Sequence, residues 1–424
     1  MASDSVQKAL RYRWIVFWIL ACGYVLVYFH RLCPAVVAVD MMRDLNTGGA
    51  LIGFLGAAYF YPYAVMQLPA GLLSDSWGSR NTITLFFAVA FIGSVILGAA
   101  PSVFLAIVGR TLVGLGVAML FVPTMKVLAE WFRVDEFAFM TGLLMALGGL
   151  GSLFAAGPLA MLSSWIGWRL SFIVVGVFTL VLAVLVWILV RDRPKDFGWP
   201  PPEQPKQTAA AIGLMEGVRR VVGCKAFWPI GIWFFFDCGI FFSFGGLWGG
   251  PYLMQVYGFS KAQAAQILSM IAIGMIVGSP ALSYLSTNIL RARKPVLVMS
   301  SIVVVGITAV LAFFTADIPL VGLYVLCLGV GIFSSAIVVI GFTTNKELFP
   351  VQMAGTATGI ANLFPFLGGA VFQPLLGYVL EKNSTADGLF TLTAYQQAFG
   401  ILFFAAIVAF GASLFLKESM VSEN

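Results

Sequence analysis

Charge is what this chain lacks. Only 10% of its 424 residues are Asp, Glu, Lys or Arg, against 60% hydrophobic. Soluble globular domains carry roughly a quarter charged residues, so this composition excludes that class and indicates a chain that crosses a bilayer repeatedly. Histidine is reduced to one residue, His30, and no CxxC pair exists. The five cysteines (Cys22, Cys33, Cys224, Cys238 and Cys327) are odd in number and mostly sit in apolar runs. They read as small membrane residues rather than a disulfide framework or a metal site. No Gly-x-x-x-x-Gly-Lys-Ser/Thr loop occurs, which argues against ATP-driven chemistry. No paired catalytic constellation emerges either, so the chain is read as a non-enzyme without cofactors. The first apolar run lacks a small-residue cleavage site and continues as a full span, so no removable signal is expected.

What the chain has in abundance is long apolar segments. They fall near 14–40, 50–73, 82–100, 104–129, 137–163 and 169–190, then near 226–256, 262–287, 295–315, 320–346, 354–380 and 394–416. A Pro-rich, charged stretch at 191–224 separates the two sets. The expected fold is an all-α membrane protein of twelve helices in two six-helix halves, 1–190 and 225–424, joined by that linker. Of the 24 Lys and Arg residues, four (Arg43, Arg169, Lys261, Lys382) flank one side of the spans and four (Arg31, Arg110, Lys126, Lys346) lie within spans. The other sixteen flank the opposite side, which by the positive-inside rule is cytoplasmic, with both termini. The net charge of +6 is thus spread over connecting loops and does not indicate nucleic-acid binding.

A shift of 217 residues superposes several landmarks. Pro34 meets Pro251, Glu130 and Phe132 meet Glu347 and Phe349, Thr141-Gly142 meets Thr358-Gly359, and Gly151 meets Gly368. Six spans per copy give both copies the same orientation, so the expected binding site lies between the halves near the midplane.

Arg31 is the residue around which the rest is organised. It sits about two-thirds along the first span, where a charge costs at least ~2.5 kcal/mol unless it faces a wet cavity or a partner. Tyr28 and Tyr24 lie one and two turns before it on roughly the same face, so they are expected to line the cavity. At the repeat offset Arg31 meets Trp248, an aromatic opposite a cation. Asn362 and Gln373 are further polar candidates for substrate contact. Asp237, near mid-depth in the seventh span, and His30 are candidates for carrying a proton. Lys126 and Glu130, four residues apart near the end of the fourth span, are expected to pair and to act as gate charges, with Lys346 and Glu347 in the similar place of the tenth.

Between the second and third spans the chain reads Gly71-Leu-Leu-Ser-Asp75-Ser-Trp-Gly78-Ser-Arg80-Asn81. This resembles the signature loop of the major facilitator superfamily, matching at Gly71, Asp75, Gly78 and Arg80 and lacking a basic group at Ser76 and Asn81. Glycines allow the tight turn, and Asp75 is expected to accept N–H bonds at a neighbouring helix N-terminus. The resemblance implies a latch on the cytoplasmic side, weakened by the two missing cations. Arg110-xxx-Gly114-x-Gly116 and Gly148-Gly-Leu-Gly151 with Gly157-Pro158 are similar to the family's fourth- and fifth-helix motifs. By that resemblance Arg110 is a proton-coupling residue, and by its residue type it can equally form a cavity-wall ion pair.

Gly23-Tyr24…Tyr28-x-x-Arg31 looks like the first helix of the family's organic-anion branches, where an arginine holds the substrate anion. Their second arginine has no counterpart in the uncharged run Phe241–Trp248. One arginine fits a monocarboxylate, or the carboxylate of an amino acid or short peptide, gripped in a bidentate fork. The expectation is a monomeric, proton-coupled secondary transporter of the cytoplasmic (inner) membrane. An exporter of lipophilic compounds and a transporter-like sensor or scaffold are the alternatives.

Overall fold

The computed structural model describes residues 2–200, 214–334, 340–350, 353–385 and 389–420. Residues 201–213 of the expected linker and 335–339 of the tenth apolar segment lie outside the described residues. In the first half the helices are α1 (Ala2–Leu32), α2 (Pro34–Asp44), α3 (Gly49–Val65), α4 (Gln67–Ser76), α5 (Ser79–Ala99), α6 (Val103–Ala118), α7 (Phe121–Trp131) and α8 (Val134–Leu189). In the second they are α9 (Leu214–Gly223), α10 (Trp228–Ser243), α11 (Gly249–Val256), α12 (Lys261–Tyr284), α13 (Lys294–Phe313), α14 (Leu320–Ser334), α15 (Phe342–Glu347), α16 (Ala354–Lys382) and α17 (Leu392–Leu414).

Nine helices among the described residues are long and apolar enough to cross a membrane, ten if the bent pair around Met66 is one span. One of them, Phe139–Leu189, is 51 residues long. At ~1.5 Å per residue that is more than twice a bilayer core. It is in fact two helices that meet at Gly167, whose φ of 77° and ψ of 161° are not helical. The outer surface fits lipid rather than water: Trp165 is 76% and Phe104 72% exposed, with Phe154, Phe178, Phe313 and Phe404 also outward.

Proline sets the breaks. Pro34 has no N–H to give to the carbonyl four residues earlier, so α1 stops and α2 starts anew. The same break recurs at the repeat offset, where a π-turn over Phe244–Trp248 separates α10 from the Pro251-bearing α11. Side chains of neighbouring helices satisfy the carbonyls that prolines set free. Pro374, inside α16, frees the carbonyl of Ala370, and the Tyr61 hydroxyl of α3 donates to it at 2.9 Å. Polar caps start helices elsewhere: Ser102, Ser260 and Thr391 accept N–H bonds from Leu105, Gln263 and Ala394.

The two halves meet along α3 against α16 and along α8 against α12. At the end of the bundle away from the chain termini the approach is backbone on backbone. A Cβ on Gly250 would strike the carbonyl oxygen of Ala35, and one on Gly377 that of Gly49. Two polar contacts tie the halves at this same end. Lys261, in the first turn of α12, pairs with Asp40 of α2 and donates to the Ser163 hydroxyl at 3.3 Å. Glu381 of α16 accepts the Ala50 N–H at 2.7 Å, placing its charge at the N-terminus of α3. At the opposite end the ion pairs described stay within one half: Arg13–Glu136, Lys126–Asp75, Arg193–Glu130 and Arg293–Glu347. This conformation is therefore latched at the end away from the termini.

Reversing either charge alone, Asp40→Lys or Lys261→Asp, is expected to lower the melting temperature, and the double reversal to restore most of it. A double-mutant cycle should give a coupling of about 1–3 kcal/mol for this partly buried pair; additive effects would show that the pair does not hold the halves together. The second prediction concerns the start of α13. Glu418 accepts the N–H groups of Arg293 and Lys294 at 2.8 and 3.0 Å. Partial burial pushes its carboxyl up, but the backbone donors of Arg293, Met420, Lys294 and Ser419 outweigh this and hold it below the ordinary glutamate value. A depressed carboxyl contributes stability above its unfolded pKa of about 4.3 and loses it as pH falls through the folded value. Glu418→Gln should thus melt about 1 °C lower than wild type at pH 7, with the difference shrinking as pH falls through the folded carboxyl value.

Candidate functional site

The break at Pro34 also builds the site. The carbonyl it frees is that of His30, and Arg110 of α6 donates to this oxygen at 3.1 Å through Nη1. The Cys33 thiol also reaches it, at 3.6 Å. Arg110 thus supplies a hydrogen bond that the helix cannot make for itself. Its guanidinium lies over the Tyr59 ring at 5.0 Å, it is 1% exposed, and Nε and Nη2 have no partner. Arg110 does not line the cavity beside Arg31. No ion pair forms there among the described residues, so the wall ion pair expected of Arg110 is corrected to a carbonyl cap.

Arg31 occupies the last turn of α1, where the helix dipole favours a cation. It is 8% exposed. Three aromatic rings surround its guanidinium: Tyr28 at 4.5 Å, Tyr63 at 5.0 Å and Phe366 at 5.1 Å. Nη2 donates to the Tyr63 hydroxyl at 2.7 Å, while Nε has no partner. No carboxylate pairs with Arg31 among the described residues. Desolvated cation–π contacts can be worth ~2 kcal/mol, which offsets only part of the cost of removing a guanidinium from water. Among the described residues, the site therefore holds a positive charge without a counter-charge.

A cavity of about 50 Å³ adjoins this charge. Tyr28, Arg31 and Leu32 line it from the first half, and Cys238, Phe241, Phe242, Met275 and Ser334 from the second. It lies between the halves, where the repeat places a site. It has room for a few waters and falls far short of the ~300 Å³ or more of a ligand pocket. The helices are drawn in around Arg31 in this conformation.

The other expected site residues divide. Tyr24 sits behind Tyr28 in an edge-on ring contact and donates to the Met145 sulfur at 3.3 Å. Trp248 does not face Arg31 across the cavity. It is fully buried, and its indole N–H donates to the Gln373 carbonyl at 2.9 Å. The Gln373 side chain donates to the Phe242 carbonyl at 2.8 Å, leaving Oε1 unpartnered. Asn362 donates to the Gln67 side chain at 2.7 Å and so bridges the halves. Asp237 is 1% exposed with Oδ2 unpartnered, next in sequence to the cavity-lining Cys238. His30 is fully buried with both ring nitrogens unpartnered, and it lines no part of the cavity.

Two gate expectations need correction. Lys126 does not pair with Glu130. It donates instead to Asp75 at 2.6 Å and to the Ser74 carbonyl at 2.9 Å, while Glu130 meets Arg193 at 3.7 Å. Asp75 in turn does not cap a helix. Asp192 takes that place, accepting the Arg80 N–H at 2.7 Å close under Gly78, whose φ of 89° suits glycine alone. The Arg80 side chain donates to the Trp187 carbonyl at 2.8 Å and lies over its ring at 4.2 Å. Gly71 has open space around it. The basic group missing at Ser76 reappears 217 residues on as Arg293, which meets Glu347, the counterpart of Glu130, at 3.2 Å. Lys126 supplies the cation that the loop itself lacks.

Sequence reading missed Tyr63, Phe366, Cys238, Phe241, Met275 and Ser334 as neighbours of Arg31. These residues come from five other helices, and no spacing within one helix could have signalled them. Tyr63 was visible only as one of many aromatics, 32 residues from the arginine it binds.

The sequence model for the Major Facilitator Superfamily matches residues 20–373. Among curated proteins, the chain is 23% identical to the probable sulfoacetate transporter of Cupriavidus necator, over 99% of this chain and 97% of that one. It is 24% identical to the hexuronate transporter of Escherichia coli K12, over 94% of each. A probable galactarate/D-glucarate transporter of Bacillus subtilis is 22% identical over 95% of this chain and 93% of its own length. Among solved structures, a bacterial homologue of the human lysosomal transporter Spinster superposes with a TM-score of 0.75 at 19% identity, covering 96% of this chain and 98% of that one. A D-xylose–proton symporter does so with 0.75 at 15% identity, covering 97% and 98%. The chain belongs to the Major Facilitator Superfamily and is a multi-pass membrane transporter, not an enzyme.

Proposed function

We propose that this chain is a secondary transporter of a small carboxylate-bearing organic anion, with Arg31 as the group that takes the carboxylate between two rocking halves. The observation that carries this reading is the buried guanidinium without a carboxylate partner among the described residues, its Nε free beside an inter-half cavity. A bound carboxylate would supply the missing counter-charge through charge-assisted hydrogen bonds. The relatives support it, since sulfoacetate, hexuronate, galactarate and glucarate are all organic anions. In this reading residues 1–190 and 225–424 are the moving halves and 191–224 the cytoplasmic linker. Twelve spans follow if the 51-residue run counts as two, the bent pair as one, and α14 continues into α15. Both termini then face the cytoplasm, so the latched end faces outward. The inner membrane is the site of action, and the unit is the monomer.

Proton coupling belongs to the same proposal. Among the described residues, Asp237 is the one acidic side chain that is fully buried; it adjoins the cavity-lining segment, and Oδ2 is unpartnered. A second reading, an exporter of lipophilic compounds, is favoured by the apolar lining contributed by Phe241, Phe242 and Met275.

A thermal-shift panel on the purified full chain separates these readings. Ligands at 100 times Kd stabilise by about 2.7 kcal/mol. Small carboxylates should raise the melting temperature of wild type, and Arg31→Ala should weaken them at least 30-fold, as expected for loss of a buried charged partner. Arg31→Lys should recover only part, having no fork. Stabilisation by lipophilic cations alone, equal in both proteins, would favour the exporter. In proteoliposomes, Asp237→Asn should abolish uptake driven by a pH gradient while preserving exchange of internal for external substrate. Undiminished pH-driven uptake in that variant would remove Asp237 from the coupling role.

A further inference from the structure

The chemistry of the cavity wall bears on what the anion carries behind its carboxylate. On the second half's side the lining is a thiol, two phenyl rings, a thioether and a single hydroxyl: Cys238, Phe241, Phe242, Met275 and Ser334. The first half adds Leu32 and Tyr28. The rings of Tyr28, Tyr63 and Phe366 surround the guanidinium, so an anion meets Arg31 with aromatic carbon on several sides. Several polar side chains of these helices are engaged, although Gln373 Oε1 and Asp237 Oδ2 have no partner. Asn362 is bonded to Gln67, Trp248 to Gln373, and the Gln373 amide to Phe242.

A second small void of about 10 Å³ shares Leu32 with the cavity. It runs between α2, α8 and α12, with Ala35, Ala155, Ala156 and Ala272 in its wall and Ser152 as its one hydroxyl. A ligand body that outgrows the first cavity meets methyl groups there. Sugar acids carry a hydroxyl on nearly every carbon. Each hydroxyl buried without a partner costs on the order of tenfold in affinity. The hydroxyls of Ser152, Ser334 and Tyr28 are the few that the two linings offer to such groups, and Ser334 also lies within reach of the Asp237 carboxylate.

We propose that the anion taken by Arg31 has an apolar body, an aryl or branched-alkyl monocarboxylate rather than a polyhydroxylated sugar acid, and that Phe241, Met275 and Cys238 select for it. This rests on Arg31 being the carboxylate ligand. The carboxylate lies at the guanidinium edge. The body packs against Phe241 and Met275 and extends toward Ala155 and Ala272. Specificity is then set by the second half and charge recognition by the first.

The test uses purified full-length protein and three probes: phenylacetate, isovalerate and glucuronate. Apparent Kd values from melting shifts should be at least tenfold tighter for phenylacetate and isovalerate than for glucuronate, and all should be lost in Arg31→Ala. Met275→Gln should narrow that ratio, since its amide gives a hydroxyl a partner. Cys238 provides an independent readout on the unmodified fold. Sulfonatoethyl methanethiosulfonate converts its thiolate to a mixed disulfide with release of methanesulfinate, and mass spectrometry reports the extent. Phenylacetate should slow this labelling at least fivefold, and glucuronate at the same concentration should not. If glucuronate binds as tightly as phenylacetate, protects Cys238 equally, and loses its effect in Arg31→Ala, the apolar-body inference falls and the anion-carrier reading stands. If no carboxylate effect depends on Arg31, both fall.

Discussion

A guanidinium in a low-dielectric interior without a counter-charge is the constraint on which this structure depends. A carboxylate would neutralise it, and the chain offers none within the described residues. It offers the next best: rings on several sides, one phenolic hydroxyl, and the negative end of a helix dipole. Such an environment tolerates the charge without satisfying it. The tension is local, because the break that ends α1 one residue later needs its own repair from Arg110. Two arginines thus sit close together with opposite duties. One mends the backbone away from the cavity, and the other lines the cavity between the halves.

The inter-half surface divides the labour in the same way. Polar latches and backbone contacts gather at the end away from the termini, where Asp40, Lys261, Glu381, Gly250 and Gly377 lie. The opposite end is held within each half by its own ion pairs. The second copy keeps an arginine–glutamate pair, Arg293–Glu347, where the first has Ser76 and recruits Lys126 and Arg193 from elsewhere. The scaffold is repeated while the means of holding each copy have diverged.

Much of the fold was legible because the bilayer enforces it. Long apolar runs and the shared offset of Pro34 and Pro251 both follow from the need to satisfy every backbone group away from water. Arg31 and Tyr28 were legible for a related reason: one is intolerable in lipid, and the other lies one turn away on the same helix. What sequence could not give was partnership across helices. Lys126 and Glu130 have the spacing of a pair, yet each finds a better partner on another segment. Trp248 occupies the repeat position of Arg31, but the π-turn at Phe244–Trp248 rotates it into packing against Gln373. Spacing rules assume an unbroken helix, and they fail where proline or a π-turn resets the register.

The glycine contacts at the latched end have a consequence for leakage. Where Gly250 meets Ala35 and Gly377 meets Gly49, main chain touches main chain with no side chain between. A side-chain gate can breathe by hopping rotamers, and each hop can admit a water. Two apposed backbones have no rotamers to hop, so no file of water can thread between them for a proton to follow. If the carrier is driven by an ion gradient, as proposed above, it must not short-circuit that gradient, and here the insulation would come from atoms too few to move aside.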